Sequence, residues 1–373
     1  MIFMDEIKVT GSIRLERYNK KNMAHFDKWN DFAKKHPDGH HHTSHYISAI
    51  SRAFGHDEAS VMAIDDADNV VGILPLTGIK SFVFGKQLTS IPFFNYGGPL
   101  AVSAEVENLL FNYAVSYAKK HNYDSVELRS LNPLPDDGMK KDNWFTHQHK
   151  AVMLLELPDD IRAIGAGNAK KRAKLRSQAG LAQRKCEEEG SQLHVAFGGD
   201  ELIDGFYTVF SQHMRDLGTP VYGKKFFQHI YENIPSSLCV VYLNDKPVSC
   251  GWLFKHEHHD RVSIPWASTL REANGYSMNT FMYYKILEHC ILAGTKTFDF
   301  GRSTIDAGTY KFKAQWGAVP TICQWHGYRI DGSKPEPRLA TDQGKMGLLV
   351  NTWKKLPLPV ANLLGPHIIK NIA

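Results

Sequence analysis

The chain has 373 residues, 43% of them hydrophobic and 22% charged, and a formal net charge of +5. This length exceeds one ordinary hydrophobic core and predicts two domains, and the composition excludes a disordered chain. The charge is too small for the whole surface to bind nucleic acid, so an anionic partner requires a local basic patch. The five cysteines lack CxxC spacing, which predicts reduced, mostly buried thiols without a disulfide framework.

The N-terminal segment carries Asp5 and Glu6 close to Met1 and has no apolar run of signal-peptide length. No other segment has enough consecutive apolar residues to predict a membrane-spanning helix. We therefore expect a cytoplasmic location, peripheral to the inner membrane face if the C-terminal tail binds lipid.

Residues 1–150 predict a first domain of mixed α/β structure. A helix over 43–54 has Thr43 or Ser44 as its natural N-cap. Two β-rich runs, 60–64 and 70–76, flank turn-forming residues and predict a hairpin. The other elements expected here are a strand over 8–16, a helix over 22–35, an apolar segment over 88–94, a helix over 104–121 and a strand over 123–129.

Residues 151–330 show the same order of hairpin, further strand, helix and strand, which predicts a second domain built like the first. Its expected helices are one long basic helix after a strand near Met153, and 199–217, 224–233 and 276–293. Its expected strands are 238–243, 247–254, 261–267, 298–300 and 321–328. Residues 331–337 have the composition of a linker, so 331–373 are predicted to form a linker and an amphipathic basic tail.

Seven motifs stand out along the chain. They are VGILPL at 71–76, KSFVFG at 80–85, YGG at 96–98, ELR at 127–129, FDFGRS at 298–303, YKFKAQWG at 310–317 and KKLPLPVAN at 354–362. Together they resemble the FemAB-type branch of the GNAT superfamily, in particular the FemAB-like proteins associated with exosortase (PEP-CTERM) and exopolysaccharide systems. The resemblance covers most of the chain. It implies an α/β fold with mixed (α+β) sheets, in which two tandem GNAT-like acyltransferase domains are followed by a tail.

The resemblance also implies an activity. The chain would be an acyltransferase or aminoacyltransferase that acts on an amine of a cell-envelope acceptor, either a peptidoglycan precursor or an exopolysaccharide. The donor, not tightly bound, would be aminoacyl-tRNA or acyl-CoA. The coiled-coil arm of some tRNA-using relatives has no counterpart here, which leaves the donor open. Two alternatives remain: an acyl-CoA-dependent N-acetyltransferase of an exopolysaccharide sugar amine, and a non-catalytic assembly factor of the export system.

The catalytic candidates are Lys313, Asp299 and Arg302. By the resemblance, Lys313 stabilises the oxyanion that forms when an amine attacks an ester or thioester carbonyl. Asp299 would orient Arg302 or accept the amine proton, although the two also suit a structural ion pair. The substrate-binding candidates in the same segment are Gly301, Ser303 and Tyr310.

Every charge between residues 161 and 186 is positive. On a helix, Arg172 and Arg176 share a face and could grip a diphosphate, which the resemblance assigns to a glycan-linked or lipid-linked acceptor. A solvated helix surface and a tRNA-contacting surface are the alternatives. Residues 162–167 fit the R-x-x-G-x-G loop that binds acyl-CoA pyrophosphate, but such a loop should follow a central strand, and this one leads into the basic helix.

Two further groups lie in the first half. Tyr96, Gly97 and Gly98 are expected to bind substrate by lining the cleft between the two domains, with a structural turn as the alternative. The histidines of the second group lack a complete ligand set, so we expect a polar loop at a helix start and no metal. These histidines are His36, His40, His41, His42 and His45.

The tail combines Trp353 and several leucines and isoleucines with Lys354, Lys355 and Lys370. Such a segment could rest on an anionic membrane surface. Packing on the second domain is the alternative.

Overall fold

The computed structural model describes residues 11–81, 85–134, 143–333 and 344–372. The strands in chain order are β1 (Arg14–Arg17), β2 (Asp57–Glu58), β3 (Val61–Ile64), β4 (Val70–Leu74), β5 (Thr77–Ser81), β6 (Gly85–Thr89), β7 (Leu100–Ala101), β8 (Ser125–Ser130), β9 (Trp144–His147), β10 (Lys150–Glu156), β11 (Leu193–Gly198), β12 (Ser236–Leu243), β13 (Lys246–His256), β14 (Arg261–Thr269), β15 (Thr297–Thr304), β16 (Val319–Ile322) and β17 (Gln324–Arg329). The α-helices are α1 (Met23–Lys35), α2 (Ser44–Phe54), α3 (Ala104–Lys120), α4 (Ala169–Ala179), α5 (Leu181–Glu189), α6 (Ile203–Leu217), α7 (Lys224–Asn233), α8 (Met278–Leu292), α9 (Gly308–Ala314), α10 (Gly344–Lys354) and α11 (Leu358–Ile369).

The chain forms two compact units, of which the first comprises residues 1–150, 322–337 and 370–373. It contains a four-stranded sheet in the order β1-β3-β4-β7 and a six-stranded sheet in the order β2-β5-β6-β8-β17-β9. Helix α3 packs closely on β4 because Gly72 has no side chain: a Cβ there would lie 2.7 Å from Val106. Apolar residues of α3 and β8 bury a shared core around Phe111 and Leu128.

The second unit comprises residues 151–321 and 338–369. Its seven-stranded sheet has the order β11-β12-β13-β14-β15-β10-β16. Strands β11 to β14 pair antiparallel with their neighbours, whereas β14 and β15 are parallel because helix α8 connects them. The core of this unit includes Phe298, Phe300 and Trp316, each with at most 2% of its surface exposed.

The predicted last strand, 321–328, is two strands that lie in different sheets. Strand β16 lies at the edge of the seven-stranded sheet, whereas β17 is inserted between β8 and β9 of the first unit. Alternation of apolar and polar residues predicts a strand, but it does not identify the strand with which it pairs. The predicted domain bounds of 150 and 330 stay a prediction.

Most other predicted elements are present with shifted ends. The prediction of a single long basic helix is wrong, because the segment forms two helices, α4 and α5, that are separated at Gly180. Thr43 is the N-cap of α2 but makes no side-chain capping bond. The predictions for residues 8–10, 82–84 and 334–337 lie outside the described residues. None of the described helices is long and apolar enough to cross a membrane.

Candidate active site

Two parallel strands separate in the second unit. Pairing between β14 and β15 covers only the three steps from Arg261–Thr297 to Ser263–Asp299, although β14 continues to Thr269 and β15 to Thr304. The carboxyl ends of both strands therefore diverge at the same edge of the sheet. Crevices at the carboxyl ends of parallel strands are where open α/β sheets bind ligands.

The backbone of β15 is irregular where the strands separate. Gly301 has a φ of +72°, a left-handed conformation that only glycine adopts without strain. In a regular strand, successive carbonyls point to opposite edges, so one cation does not reach both. Here the Nζ of Lys313 donates to the carbonyl of Gly301 at 3.0 Å and to that of Arg302 at 2.9 Å. The irregular backbone thus presents two adjacent carbonyls to one ammonium group.

Lys313 lies on helix α9 and is only 7% exposed. Burial lowers the pKa of its ammonium to about 8, the nearby charge of Arg302 adds to this effect, and the charge of Asp299 opposes it. A lysine ammonium has three N–H donors, and the two strand carbonyls use two of them. No third acceptor contacts this nitrogen within the part of the chain that the structure describes, so one donor is available for a ligand.

The other candidates of this segment have different surroundings. Asp299 is fully buried, and its Oδ1 accepts a hydrogen bond of 2.7 Å from the Gly301 amide, whereas Arg302 is exposed to solvent. Ser303 is 4% exposed, and its hydroxyl has no hydrogen-bond partner among the residues that the structure describes. The hydroxyl of Ser268, on β14, is also buried and also lacks a hydrogen-bond partner among the described residues. Tyr310 packs partly against the core.

Buried hydroxyl groups without partners are costly in a folded protein. Ser268 and Ser303 lie on the two strands beyond the last paired step. A ligand between the diverging strands would provide the missing hydrogen bonds. The two buried hydroxyls therefore favour a polar ligand where β14 and β15 separate.

Arg172 and Arg176 both lie on α4, as predicted, and both are half-buried. Arg172 donates to the carbonyl of Gly167 at 2.6 Å and Arg176 to that of Arg162 at 2.7 Å. Each guanidinium has five N–H donors, so donors remain for a phosphate. The present contacts hold the loop of residues 162–167 against the start of the helix.

The loop of residues 162–167 also contacts the end of α9, the helix that carries Lys313. The amide of Ala166 donates to the carbonyl of Gln315 at 2.9 Å, two residues from Lys313. The arginine pair and the lysine are therefore linked through one loop of the same unit. A role for either arginine in binding phosphate stays a prediction.

Tyr96, Gly97 and Gly98 are buried in the first unit. A Cβ on Gly97 would lie 2.5 Å from Ile91, and one on Gly98 would lie 2.9 Å from the backbone of Ser130. The ring of Tyr96 contacts that of His41 at 4.4 Å. Close packing explains both glycines, and substrate binding by these three residues stays a prediction.

The histidine cluster is not a polar loop, because His40, His41 and His42 are at most 5% exposed. Burial lowers the pKa of His42 to about 3, and its Nε2 lies 2.8 Å from the carbonyl oxygen of Gly98. The neutral ring is thus part of the packing around the glycine turn. Among the residues that the structure describes, no group of three or more histidine, cysteine or acidic residues could hold a metal ion.

The sequence-based predictions did not include the connection between β14 and α8 among the candidate functional segments. Residues 270–277 connect the end of β14 to the first turn of α8. Lys185 donates to the carbonyl of Gly275 at 2.9 Å, and Tyr276 donates to Glu189 at 2.5 Å. The sequence did contain a signal for this connection, since Arg271 and Gly275 lie between a predicted strand and a predicted helix.

A sequence-family comparison places a known domain over this site. Residues 170–314 match the model of the acetyltransferase (GNAT) domain. That range contains Arg172, Arg176 and all the candidates from Asp299 to Lys313. No curated protein matches the chain by sequence.

Solved structures resemble nearly the whole chain. FemX is 14% identical with a TM-score of 0.59, and the match covers 82% of this chain and 96% of FemX. A tandem GNAT protein from the clavulanic acid biosynthesis pathway is 12% identical with a TM-score of 0.56, covering 87% of this chain and 100% of that one. L-PGS from Bacillus licheniformis is 14% identical with a TM-score of 0.53, covering 95% and 98%.

At these identities the structural likenesses establish the fold. The predicted fold class, mixed α/β with tandem GNAT-like domains, is confirmed. The GNAT domain match supports an acyltransferase, and a domain of this kind implies an acyl-CoA donor.

Proposed function

We propose that this chain transfers an acyl or aminoacyl group to an amine of a cell-envelope acceptor, in the manner of FemAB-type enzymes. The observation that carries the proposal is the buried ammonium of Lys313 at the separation of β14 and β15. The similarity to FemX and L-PGS supports an aminoacyl group and an envelope acceptor. The resemblance of the motifs to those of FemAB-like proteins of PEP-CTERM and exopolysaccharide systems is the reason to propose a glycan or a glycan precursor as the acceptor.

The reaction assigns a role to each side chain. The acceptor amine attacks the donor carbonyl, the nitrogen–carbon bond forms, and the carbonyl oxygen gains negative charge. The third N–H of Lys313 donates to this oxygen, and the fixed position of the ammonium avoids reorganisation during the reaction. The oxyanion then collapses, the donor's thiolate or ribose oxygen leaves, and the amine proton passes to a base. Asp299, which fixes the strand through the Gly301 amide, is the proposed base or the group that orients Arg302.

Arg172 and Arg176 are proposed to bind the phosphate of a glycan-linked or lipid-linked acceptor. They are suited to this because both lie on one face of α4 and keep unused donors. The surrounding lysines of α4 are exposed and would attract an anionic substrate. A tRNA donor would use the same basic surface.

A second candidate is an acyl-CoA-dependent N-acetyltransferase acting on a sugar amine of an exopolysaccharide. The specific observation in its favour is the acetyltransferase domain match over residues 170–314. In both cases the chemistry at Lys313 is the same, and only the donor and acceptor differ.

Ligand-induced thermal shift separates these proposals, because a ligand stabilises only a folded protein that binds it. The protein is heated with acetyl-CoA, with aminoacyl-tRNA or with a nucleotide-sugar precursor. A shift with aminoacyl-tRNA supports aminoacyl transfer, and a shift with acetyl-CoA alone supports the second candidate. The absence of a shift with all three would overturn both and favour a non-catalytic assembly factor. Turnover with the donor that shifts the melting temperature, lost in Lys313→Met but kept in Lys311→Met, completes the test.

A further inference from the structure

The two C-terminal helices have one face against the protein and one face in solvent. On α11, Ala361 is 1% exposed, and a Cβ on Gly365 would lie 2.8 Å from the backbone of Val221. The connection between α10 and α11 is also held, since Arg215 donates to the carbonyl of Leu356 at 3.0 Å. The tail thus packs on the second unit through small residues and backbone groups.

The opposite faces carry large apolar side chains. Five large apolar side chains extend from these helices into solvent, and we call them the leucine face. They are Leu348 (70% exposed), Leu349 (63%), Val360 (38%), Leu363 (68%) and Leu364 (43%). Isolated exposed leucines are common on soluble proteins, but a cluster on two consecutive helices indicates a surface that is covered by something else.

The charges of the two helices indicate what kind of surface covers the leucine face. Residues 344–369 carry Lys345, Lys354 and Lys355 and no aspartate or glutamate. Lys354 and Lys355 are exposed at the end of α10 and in the connection to α11. Apolar side chains flanked by lysines fit the surface of an anionic bilayer, where leucines enter the acyl boundary and lysines stay at the phosphates.

A second copy of the chain fits this surface less well. Joining two leucine faces would bring the lysines of both copies together, and residues 344–369 contain no acidic residue to offset them. Helices of 11 and 12 residues are too short to cross a bilayer, so the contact must lie in its interface.

We propose that α10 and α11 dock the protein on an anionic membrane surface through the leucine face. This proposal is independent of the acyl-transfer chemistry. It does not use any residue of the candidate active site.

The test is sedimentation of the full-length protein with phosphatidylglycerol vesicles and with phosphatidylcholine vesicles. We expect binding to the anionic vesicles that weakens as salt is added. The double variant Leu348→Ser with Leu363→Ser should lose at least about tenfold in membrane partitioning, because two large apolar side chains no longer leave water. The control is Leu292→Ser with Val319→Ser, whose side chains are 83% and 65% exposed elsewhere in the second unit, and it should bind like the wild type.

A second pair of variants tests the charges without altering an apolar contact. Lys354→Gln with Lys355→Gln should weaken binding to anionic vesicles several-fold, whereas Lys119→Gln with Lys120→Gln, on α3, should not. Failure of the wild type to sediment with phosphatidylglycerol would overturn the proposal. So would equal binding of the serine pair and the wild type, equal binding to both lipids, or a dimer in light scattering that dissociates in the serine variant.

Discussion

Lys313 and Gly301 hold each other in place: the buried ammonium donates to the glycine carbonyl at 3.0 Å, and the left-handed glycine turns that carbonyl and the next one towards it. Lys313→Met keeps the length of the side chain and removes the donor. If Lys313 stabilises the oxyanion, the turnover number should fall by about 100-fold or more, while the KM for the acceptor changes little. Steady-state kinetics with the donor identified by thermal shift provide the measurement.

The matched control for this substitution is Lys311→Met on the same helix. Lys311 is exposed and should be replaceable without loss of turnover. Equal kinetics of the two variants would remove Lys313 from the mechanism and leave it a structural role only.

The buried ammonium also predicts how stability depends on pH. Its pKa is lowered from 10.5 to about 8, chiefly by burial, so the folded protein releases this proton at a lower pH than the unfolded chain does. Below about pH 8 both states carry the proton, and the contribution is constant. Between about pH 8 and 10.5 the unfolded state binds more protons, so the free energy of unfolding rises with pH, by on the order of 2–3 kcal/mol over the whole window.

Urea unfolding of the wild type and of Lys313→Met from pH 7.5 to 10.5 measures this effect. The wild type should gain stability relative to the variant as the pH rises, and a constant difference would contradict the lowered pKa. The catalytic rate adds a second readout, since an ammonium that stabilises an oxyanion predicts a wild-type rate that declines above about pH 8.

Gly301→Ala tests the irregular strand. An L-residue at a φ of +72° costs roughly 1–2 kcal/mol, so unfolding should require correspondingly less denaturant. The control is Gly308→Ala at the start of α9, where a Cβ would meet no atom within 4 Å and the backbone is not left-handed. That variant should be unchanged or stabilised by up to about 1 kcal/mol. Equal stability of the two variants would contradict the left-handed assignment of Gly301.

Arg172→Glu combined with Arg176→Glu tests the phosphate hypothesis. If the pair binds an acceptor phosphate, the acceptor KM should rise by about tenfold or more, because two charge-assisted contacts become repulsive. Lys170→Glu with Lys174→Glu makes the same change of charge on exposed positions of the same helix. A similar rise of KM in both double variants would indicate a general field of the basic helix, and no rise in either would assign the arginines to holding the loop of residues 162–167.

Local patterns predicted much of the fold. Helix α7 begins and ends where it was expected, at residues 224 and 233, and the β3–β4 hairpin follows its turn-forming residues. Placement in three dimensions was harder to predict. The burial of His41 depends on contact with the ring of Tyr96, which is distant in sequence. The division of the basic helix falls at Gly180, whose low helix propensity was a local signal that the prediction did not use.

The candidate site was predicted in part. The clustering of Asp299, Gly301 and Lys313 follows from a strand, a turn and a short helix that are close in sequence. The two carbonyl partners of Lys313 depend on the φ of one glycine, which the sequence permits but does not specify. The separation of β14 from β15 is a long-range property, so the buried hydroxyls of Ser268 and Ser303 could not be found from either segment alone.

The position of β17 between β8 and β9 has a consequence for biosynthesis. While the protein is being synthesised, the six-stranded sheet of the first unit lacks the strand between β8 and the edge strand β9 until Arg329 has left the ribosome. By then every strand of the seven-stranded sheet has already emerged. The six-stranded sheet, which starts first, is therefore completed after the seven-stranded sheet, and until then the facing edges of β8 and β9 lack the strand that joins them.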